Sequence, residues 1–293
     1  MKKNIFTAIM MVLVMVVIYI YSLNGNSVRE SITYFPIDPS ITYDSTNTTL
    51  TLLGKGKEKD DYLVNWAISS SLDRKAYLRQ DVGLLYVNGR LKGKLGDWKQ
   101  NTDTLSQEIE VVGKDSSLFQ AITFHHSEIH MKHDEIFSAQ QLSADQLYVI
   151  DSSFSPLRAF RVPVGKEELE WKSTIDNMTR KQLQSSWSKA MEAYSINRKD
   201  YSSFPLTEII RFNEEPLPGF STYDTQKIIG NLWEGIYKNY FLGIKKGDQT
   251  IINPFNSSVP LILVANDKSH LLVVFEASTG EPFLLRQQIT TDR

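Results

Sequence analysis

The residues best suited to chemistry lie in one short polar segment. Four of the five histidines in the chain fall within nine residues and are interleaved with carboxylates. Imidazole and carboxylate groups are the ligands that zinc or copper would use in a protein without cysteine. The segment therefore predicts a metal-binding or metal-sensing site formed from His125, His126, Glu128, His130, His133, Asp134 and Glu135.

The secondary structure of this segment decides which side chains can converge. On a strand, His126, Glu128 and His130 would share one face, whereas a helix would align His126, His130 and His133. The candidate metal ligands are therefore these four residues, with Zn or Cu as the ion. Two alternatives remain open. One is an exposed polar loop without metal, and the other is a patch that responds to pH because its imidazoles titrate near neutrality.

Signatures of catalysis are missing from the sequence. The metalloprotease pattern His-Glu-x-x-His is not met, and Ile129 stands where His-x-x-Glu-His would need histidine. There is no Gly-x-Ser-x-Gly motif, and the absence of cysteine excludes a thiol nucleophile. We expect no catalytic residues and no required cofactor. An envelope hydrolase stays as an alternative, because glycosidase carboxylates cannot be recognised from their spacing.

Composition and charge narrow the class of protein further. The 293 residues are 41% hydrophobic and 11% aromatic, which is enough to build real cores and argues against disorder. Lys and Arg number 32 against 34 Asp and Glu, giving a net charge of −2. A protein without a basic excess is a poor candidate for binding nucleic acid.

An apolar run near the N-terminus predicts a membrane anchor. Residues 5–23 are almost continuously apolar, and 19 residues of helix reach roughly 28 Å, close to the thickness of the bilayer core. Lys2 and Lys3 precede the run, so the positive-inside rule places the N-terminus in the cytoplasm. A cleaved secretory signal and a buried core helix are the alternatives, although the run is long for a signal peptide.

This anchor sets the expected organisation of the chain. It predicts a cytoplasmic tail (1–4), a transmembrane helix (5–23), a short stalk (24–30) and an extracytoplasmic portion. The absence of cysteine suits a bacterial cell envelope better than a small secreted eukaryotic domain. The extracytoplasmic portion divides into a β-rich domain (31–163) and an α+β domain (164–293), because the periodicity of the apolar residues changes near Pro163.

The first of these domains has the pattern of antiparallel strands. Runs rich in Val, Ile, Thr, Tyr and Phe alternate with clusters of Gly, Asn, Asp and Ser. The clearest signal is Asn88-Gly89 between two strand-like runs, because Asn-Gly favours the positive φ angles of a two-residue hairpin turn. We predict a β-hairpin there.

The second domain is predicted to contain two long helices followed by strands. Apolar residues recur every three to five positions over 167–196, and a second stripe covers 223–244 after a cap at Ser221 or Thr222. Strands then follow at 259–265, 270–276 and 282–289, which predicts a three-stranded antiparallel meander. The expected fold class is therefore α+β, with an N-terminal transmembrane helix before the β-rich region.

The aromatic face of the second helix offers a different kind of site. Trp233, Tyr237, Tyr240 and Phe241 could form a docking surface for a partner, with core packing as the alternative. The sequence favours a single-pass, membrane-anchored extracytoplasmic binding or regulatory accessory module without catalytic activity. Its expected partners are the lipid bilayer, through residues 5–23, and another envelope or membrane protein.

Overall fold

Long antiparallel strands dominate the fold. A computed structural model describes residues 33, 35–58, 61–153, 155–246 and 250–290, of which 53% are strand and 25% helical. Two of the strands span 27 and 25 residues, against roughly 3–10 for an ordinary strand. The described strands are β1 (Tyr43–Lys55), β2 (Asp61–Val87), β3 (Arg90–Lys114), β4 (Ser117–His130), β5 (Ile136–Ser152), β6 (Ser155–Phe160), β7 (Tyr201–Pro205), β8 (Ile244–Lys246), β9 (Thr250–Ile252), β10 (Leu261–Ala265), β11 (His270–Glu276) and β12 (Pro282–Gln288).

A tight hairpin joins β2 and β3. The turn residues Asn88 and Gly89 have φ angles of 48° and 78°, so the predicted Asn-Gly hairpin is confirmed. The Asn88 side chain also fixes the neighbouring strand, because its Oδ1 accepts a hydrogen bond of 2.8 Å from the backbone N–H of Leu118. The turn therefore positions β4 as well as β3.

The large sheet bends because β2 changes partners along its length. The first half of β2 pairs with β1, and the second half pairs with β4 after a register shift between Ser71 and Ala76. The strand order is β1-β2-β4-β5-β6, with β3 on the other side of β2. The bend folds β1 over β4 and β5, and an apolar cluster that includes Leu50, Trp66 and Phe119 fills the space between them.

Side chains pair with the open edge of β1. The Leu50 N–H donates to the Asp145 carboxylate at 2.7 Å, and the Leu50 carbonyl accepts from the Arg161 guanidinium at 2.8 Å. Arg161 and Asp145 also form two bonds of 2.8 Å with each other. Two side chains therefore satisfy backbone groups that a neighbouring strand would otherwise bind, which blocks pairing with another chain at this point.

Helices cover the sheet on its outer side. Helix α1 (Lys166–Ala193) begins with Glu167 and Glu168 in its first turn, where carboxylates interact favourably with the helix dipole. Helix α2 (Thr222–Ile236) is capped by the Ser221 hydroxyl, which accepts from the Asp224 N–H at 3.0 Å. It continues into one π-helical turn, Tyr237–Phe241. Short 3-10 segments lie at Lys132–Asp134, Arg198–Asp200 and Leu206–Asn213.

A second sheet is formed by four strands from the later part of the chain. Its strand order is β12-β11-β10-β7, and the two short strands β8 and β9 pair separately. Helix α1 packs on one face of this sheet, where Ala190 lies fully buried among Leu263 and Val274. The opposite face contributes Val273 and other residues to the largest core. The second sheet is thus covered on both faces.

The largest core joins the two halves of the described chain. It brings the outer face of the large sheet against α2 and the second sheet, and the Phe124 and Trp233 rings stack there with centroids 5.3 Å apart. This cluster takes residues from both sides of residue 163, where the sequence predicts a domain boundary. The described residues form a single compact unit.

The expected fold class is wrong. Strand dominates a sheet that is nearly a barrel, and the arrangement is not two long helices followed by a separate meander. The second predicted helix changes to a π turn at Tyr237, and β7 joins the three C-terminal strands to make a four-stranded sheet. The physical reason is burial: the second half of β2 is covered on both faces, so its apolar residues do not alternate and its length could not be read from periodicity.

The transmembrane and signal-anchor assignment is also corrected. Among the residues that the structure describes, no helix combines the length and the apolar character needed to cross a bilayer, so the assignment is not supported. The predicted tail, anchor and stalk, residues 1–4, 5–23 and 24–30, lie outside the described part of the chain.

Substitution of the turn glycine tests the hairpin. We expect Gly89→Ala to lower the free energy of unfolding by about 1–3 kcal/mol, because a side chain at positive φ costs about 1–2 kcal/mol. The new Cβ would also come within 3.0 Å of Leu183. Urea unfolding measures the change.

Gly235→Ala in α2 is the matched control. Its Cβ would meet nothing within 4 Å, and alanine favours helix, so the variant should gain about 0.5–1 kcal/mol. Equal stability of the Gly89→Ala variant and the wild type would contradict the role assigned to the turn.

Candidate functional site

A layer of polar side chains lies inside the bent sheet. Alternation along the strands points these residues toward the interior, between one apolar cluster around Trp66 and a second around Leu72 and Ile129. Polar groups in such a place are costly unless they bond to one another. The layer contains the following residues, all of them buried: Thr48, Ser70, Arg79, Asp81, Thr123, His125, Ser127 and Ser143.

A guanidinium and a carboxylate anchor one end of this layer. Arg79 and Asp81 have no exposed side-chain surface, and the nearest nitrogen and oxygen lie 3.9 Å apart. The Ser70 hydroxyl connects the two groups. Its oxygen accepts a hydrogen bond of 2.5 Å from Arg79, and its proton is donated to Asp81 Oδ2 over 2.5 Å. Arg79 also donates to the Asp103 carbonyl at 2.5 Å and lies 5.0 Å from the centre of the Tyr43 ring.

His125 connects the carboxylate to a serine. Asp81 and His125 are directly opposite on β2 and β4, and His125 Nδ1 lies 3.0 Å from Asp81 Oδ2, at an angle outside hydrogen-bond geometry. His125 Nε2 lies 2.7 Å from the Ser143 hydroxyl oxygen. An Asp–His–Ser arrangement thus forms from three neighbouring strands.

Two threonines extend the chain of hydroxyls. Thr48 Oγ1 lies 2.6 Å from Ser143 Oγ and 2.6 Å from Thr123 Oγ1. Each hydroxyl has one proton, so the three bonds can run in either of two directions. In one of them Thr123 donates to Thr48, Thr48 to Ser143, and Ser143 to His125 Nε2, which places the imidazole proton on Nδ1, on the side of Asp81.

A cavity of about 510 Å³ lies along two of the same strands. Three parts of the chain form its walls: residues 37–46, which lead into β1 and begin it, residues 139–141 near the start of β5, and Gln226 in α2. Its volume is in the range that holds a small molecule. The lining residues are Ile37, Asp38, Pro39, Ile41, Thr42, Tyr43, Asp44, Ser45, Thr46, Ala139, Gln140, Gln141 and Gln226.

The cavity is polar and carries negative charge. Asp38 and Asp44 supply two carboxylates, and none of the described lining residues is basic. Hydrogen bonds from the Ser40 side chain and backbone lower the pKa of Asp38, with a smaller contribution from Arg74, so the carboxylate is ionised. Arg74 itself is held in a two-bond pair with Asp73. An anion would therefore be repelled.

The cavity and the buried layer share two strands. Thr46 lies two residues before Thr48 on β1, and Gln141 lies two residues before Ser143 on β5, so each pair faces the same side. Ser143 and Thr48 retain 7% and 6% exposure, whereas Asp81 and His125 have none. The serine end of the layer is therefore the end nearer to solvent.

The four candidate metal ligands occupy different environments. His126 is buried, while Glu128 and His130 bond to each other and the His130 ring stacks on Tyr77 at 3.8 Å. His133 lies in the 3-10 turn with a φ of 71°. Among the described residues no group of three or more His, Asp and Glu side chains is placed to hold a metal ion.

The four aromatic residues of the predicted docking surface lie within or against the largest core. Trp233, Tyr237 and Tyr240 are at most 5% exposed, and Phe241 packs against the same cluster. The Tyr240 hydroxyl bonds to Ser257 at 2.6 Å, and burial raises its pKa to about 12. The structure brings these residues together as packing for α2 against the sheets.

His126 is the one candidate ligand that lies under α2. It is 2% exposed, and neither ring nitrogen has a hydrogen-bond partner. Burial lowers the pKa of His126 to about 4, and the nearby charge of Arg79 acts in the same direction, while Asp81 and Glu234 oppose it. The imidazole is therefore neutral at pH 7 and packs as an apolar ring near Phe124.

Sequence reasoning missed the residues that the structure assembles. Asp81 and Ser143 lie in long strands without a recognisable motif, and His125 belongs to the segment that predicts a metal site. The only usable signal was the strand register. His125 pairs with Asp81, and Thr123, two residues before His125, pairs with Ser143. That register could not be read from one sequence.

No protein-family model matches the chain, and no curated protein matches it. A protein from Arabidopsis thaliana with a known solution structure is similar over 39% of this chain and 87% of its own, with 13% identity and a TM-score of 0.26. A likeness at that TM-score supports no conclusion about fold or function.

Breaking the buried ion pair should be costly. We expect Arg79→Met or Asp81→Asn alone to lower the free energy of unfolding by about 3–5 kcal/mol, because each leaves a buried charge without its partner. The double variant should lose less than the sum. Urea unfolding of all three variants measures the coupling.

Arg74→Met is the control for this experiment. It removes a half-exposed ion pair on the same strand and should cost at most about 1 kcal/mol. Strictly additive losses in the double variant would contradict a coupled pair.

Acid should destabilise the protein through His126. Its folded pKa of about 4 lies below the unfolded value of 6.5, so unfolding takes up a proton in this range. The contribution of neutral His126 to the free energy of unfolding is fully present above pH 6.5. It is lost as the pH falls toward 4, by about 3 kcal/mol in total. His126→Leu should flatten the dependence of unfolding free energy on pH over this window.

Gln120→Leu, which replaces a residue without a titrating group on the same strand, is the control and should keep the wild-type slope. Identical pH profiles for the wild type and the His126→Leu variant would refute the assignment.

Proposed function

We propose that this protein is a binding module whose cavity takes a small polar ligand. The observation that carries the proposal is the cavity of about 510 Å³, with carboxylates, hydroxyls and side-chain amides on its walls. Small-molecule sites usually have about this volume and combine apolar contacts with a few polar groups. Ile37 and Ile41 supply apolar surface in this one.

The charge of the walls favours one chemical class. Asp38 and Asp44 attract a cation, and the three glutamines can both donate and accept hydrogen bonds. A ligand with an ammonium group and further hydrogen-bonding groups fits this surface best. A neutral polyol would bind through the amides alone, and an anion would be the poorest ligand of the three.

The construction of the walls supports a regulatory role for such binding. Gln226 belongs to α2, and its backbone carbonyl accepts a hydrogen bond of 2.7 Å from Gln140 on β5. The same helix packs into the largest core through Trp233. A ligand bound among these residues would contact both the sheet and the helix, so occupancy would stabilise their packing.

Calorimetric titration of the full chain tests the proposal. The probes are lysine amide as the cation, glucose as the neutral polyol and citrate as the anion, and the expected order of affinity is cation, polyol, anion. Asp44→Asn should weaken lysine amide binding several-fold and leave glucose unchanged. Gln141→Leu should weaken both about tenfold.

Gln146→Leu is the matched control, because Gln146 lies on the same strand, is exposed and does not line the cavity. It should bind all probes as the wild type does. Tighter binding of citrate than of lysine amide, or the same loss in the Gln146→Leu variant, would overturn the proposal.

A further inference from the structure

We propose that Ser143 is an acyl-accepting nucleophile, activated by His125, that cleaves a small carboxylic ester entering from the cavity. This inference rests on the cavity of the proposed function but adds a reaction to it. Ser143, His125 and Asp81 lie in the order of a serine nucleophile, its base and a carboxylate, with hydrogen-bond geometry between Ser143 and His125 and a contact by distance alone between His125 and Asp81.

The distances between the three side chains meet the requirements of nucleophilic catalysis. A nucleophile and its base must lie within about 2.6–3.2 Å, and Ser143 Oγ is 2.7 Å from His125 Nε2. The base must be oriented by a third group, and Asp81 Oδ2 is 3.0 Å from the other ring nitrogen. Without a bound substrate such contacts are often poorly aligned, as the Asp81 contact is here.

One direction of the surrounding hydrogen bonds gives the arrangement that serine catalysis needs. Thr48 can donate to Ser143, which leaves the Ser143 proton directed at His125 Nε2. Ser70 donates to Asp81, and Arg79 lies 3.9 Å from the same carboxylate, so the negative charge of Asp81 is stabilised. A neutral imidazole with its proton on Nδ1 is the state that accepts a proton from serine.

Ser143 does not itself line the cavity, so a substrate from the cavity has to pass Gln141 to reach it. Gln141, the residue two positions earlier on the same face of β5, lines the cavity, and Ser143 keeps 7% exposure. The negative walls restrict the substrate to an ester that is neutral or carries an ammonium group. The volume restricts it to a small molecule.

The reaction is a two-step acyl transfer. Ser143 Oγ bonds to the carbonyl carbon while its proton passes to His125 Nε2. The ester C–O bond then breaks, and the alcohol leaves with that proton. Water, the second reactant, gives a proton to His125 and its oxygen attacks the acyl carbon, releasing the carboxylic acid and restoring Ser143. No electrons are exchanged with another reagent.

A fluorophosphonate probe with a short alkyl chain tests the inference on the full chain. Ser143 should displace fluoride and form one phosphorus–oxygen bond, giving one adduct per protein by intact mass. Tandem mass spectrometry of wild-type tryptic peptides should place the adduct on Ser143. This measurement needs no variant and so does not depend on variant folding.

Two variants complete the experiment. Ser143→Ala should lose labelling by at least tenfold, whereas Ser127→Ala, a buried serine on the same interior face, should label as the wild type does. Absence of labelling in wild-type protein, beside a reactive serine hydrolase in the same tube, would overturn the inference, as would an adduct on another serine.

The two proposals fail separately. If lysine amide binds as expected but no adduct forms, the reaction is refuted and the binding function stands. If the adduct forms on Ser143 but calorimetry shows a preference for citrate, the ligand class is refuted and the nucleophile stands.

Discussion

A guanidinium and a carboxylate buried inside a sheet impose the strictest constraint on this fold. Arg79 and Asp81 have no exposed side-chain surface, so every hydrogen bond that they lost to water must come from the protein. Ser70 supplies the shared bridge, and the Asp103 carbonyl takes a second Arg79 proton. These partners lie on different stretches of β2 and β3, so they meet the two charges only when the sheet has its bent form, and Arg79 Nε and Asp81 Oδ1 still have no hydrogen-bond partner.

The bend is therefore linked to the polar layer rather than incidental to it. Ser70 reaches Asp81 across the register shift in β2, although both belong to the same strand. The bend also brings β1 over β5, where Asp145 and Arg161 bind the free backbone groups of Leu50. A sheet with the same strands but no bend would leave an edge unpaired and a charge pair without its bridge.

Local signals in the sequence were sufficient for local structure. The Asn88-Gly89 turn followed from backbone sterics alone, and the acidic start of α1 at Glu167 was visible because it depends on neighbours in the chain. The end of α2 was not visible in the sequence, since the aromatic stripe continues through Tyr240 while the backbone changes to a π turn. The stripe shows which residues are buried, and burial does not determine whether the backbone is α-helical or π-helical.

The candidate site was beyond prediction for a different reason. Asp81, His125 and Ser143 meet only because β2, β4 and β5 pair in one register, and a slip of one residue would turn each side chain to the other face. The histidine-rich segment was conspicuous as a cluster in the sequence, yet alternation sends His125 into the interior and His126 under α2. What distinguishes them is the environment on each face: hydroxyls and a carboxylate on one side, aromatic rings on the other. The face of a strand, rather than the proximity of residues along the chain, therefore determines which histidine has chemical partners.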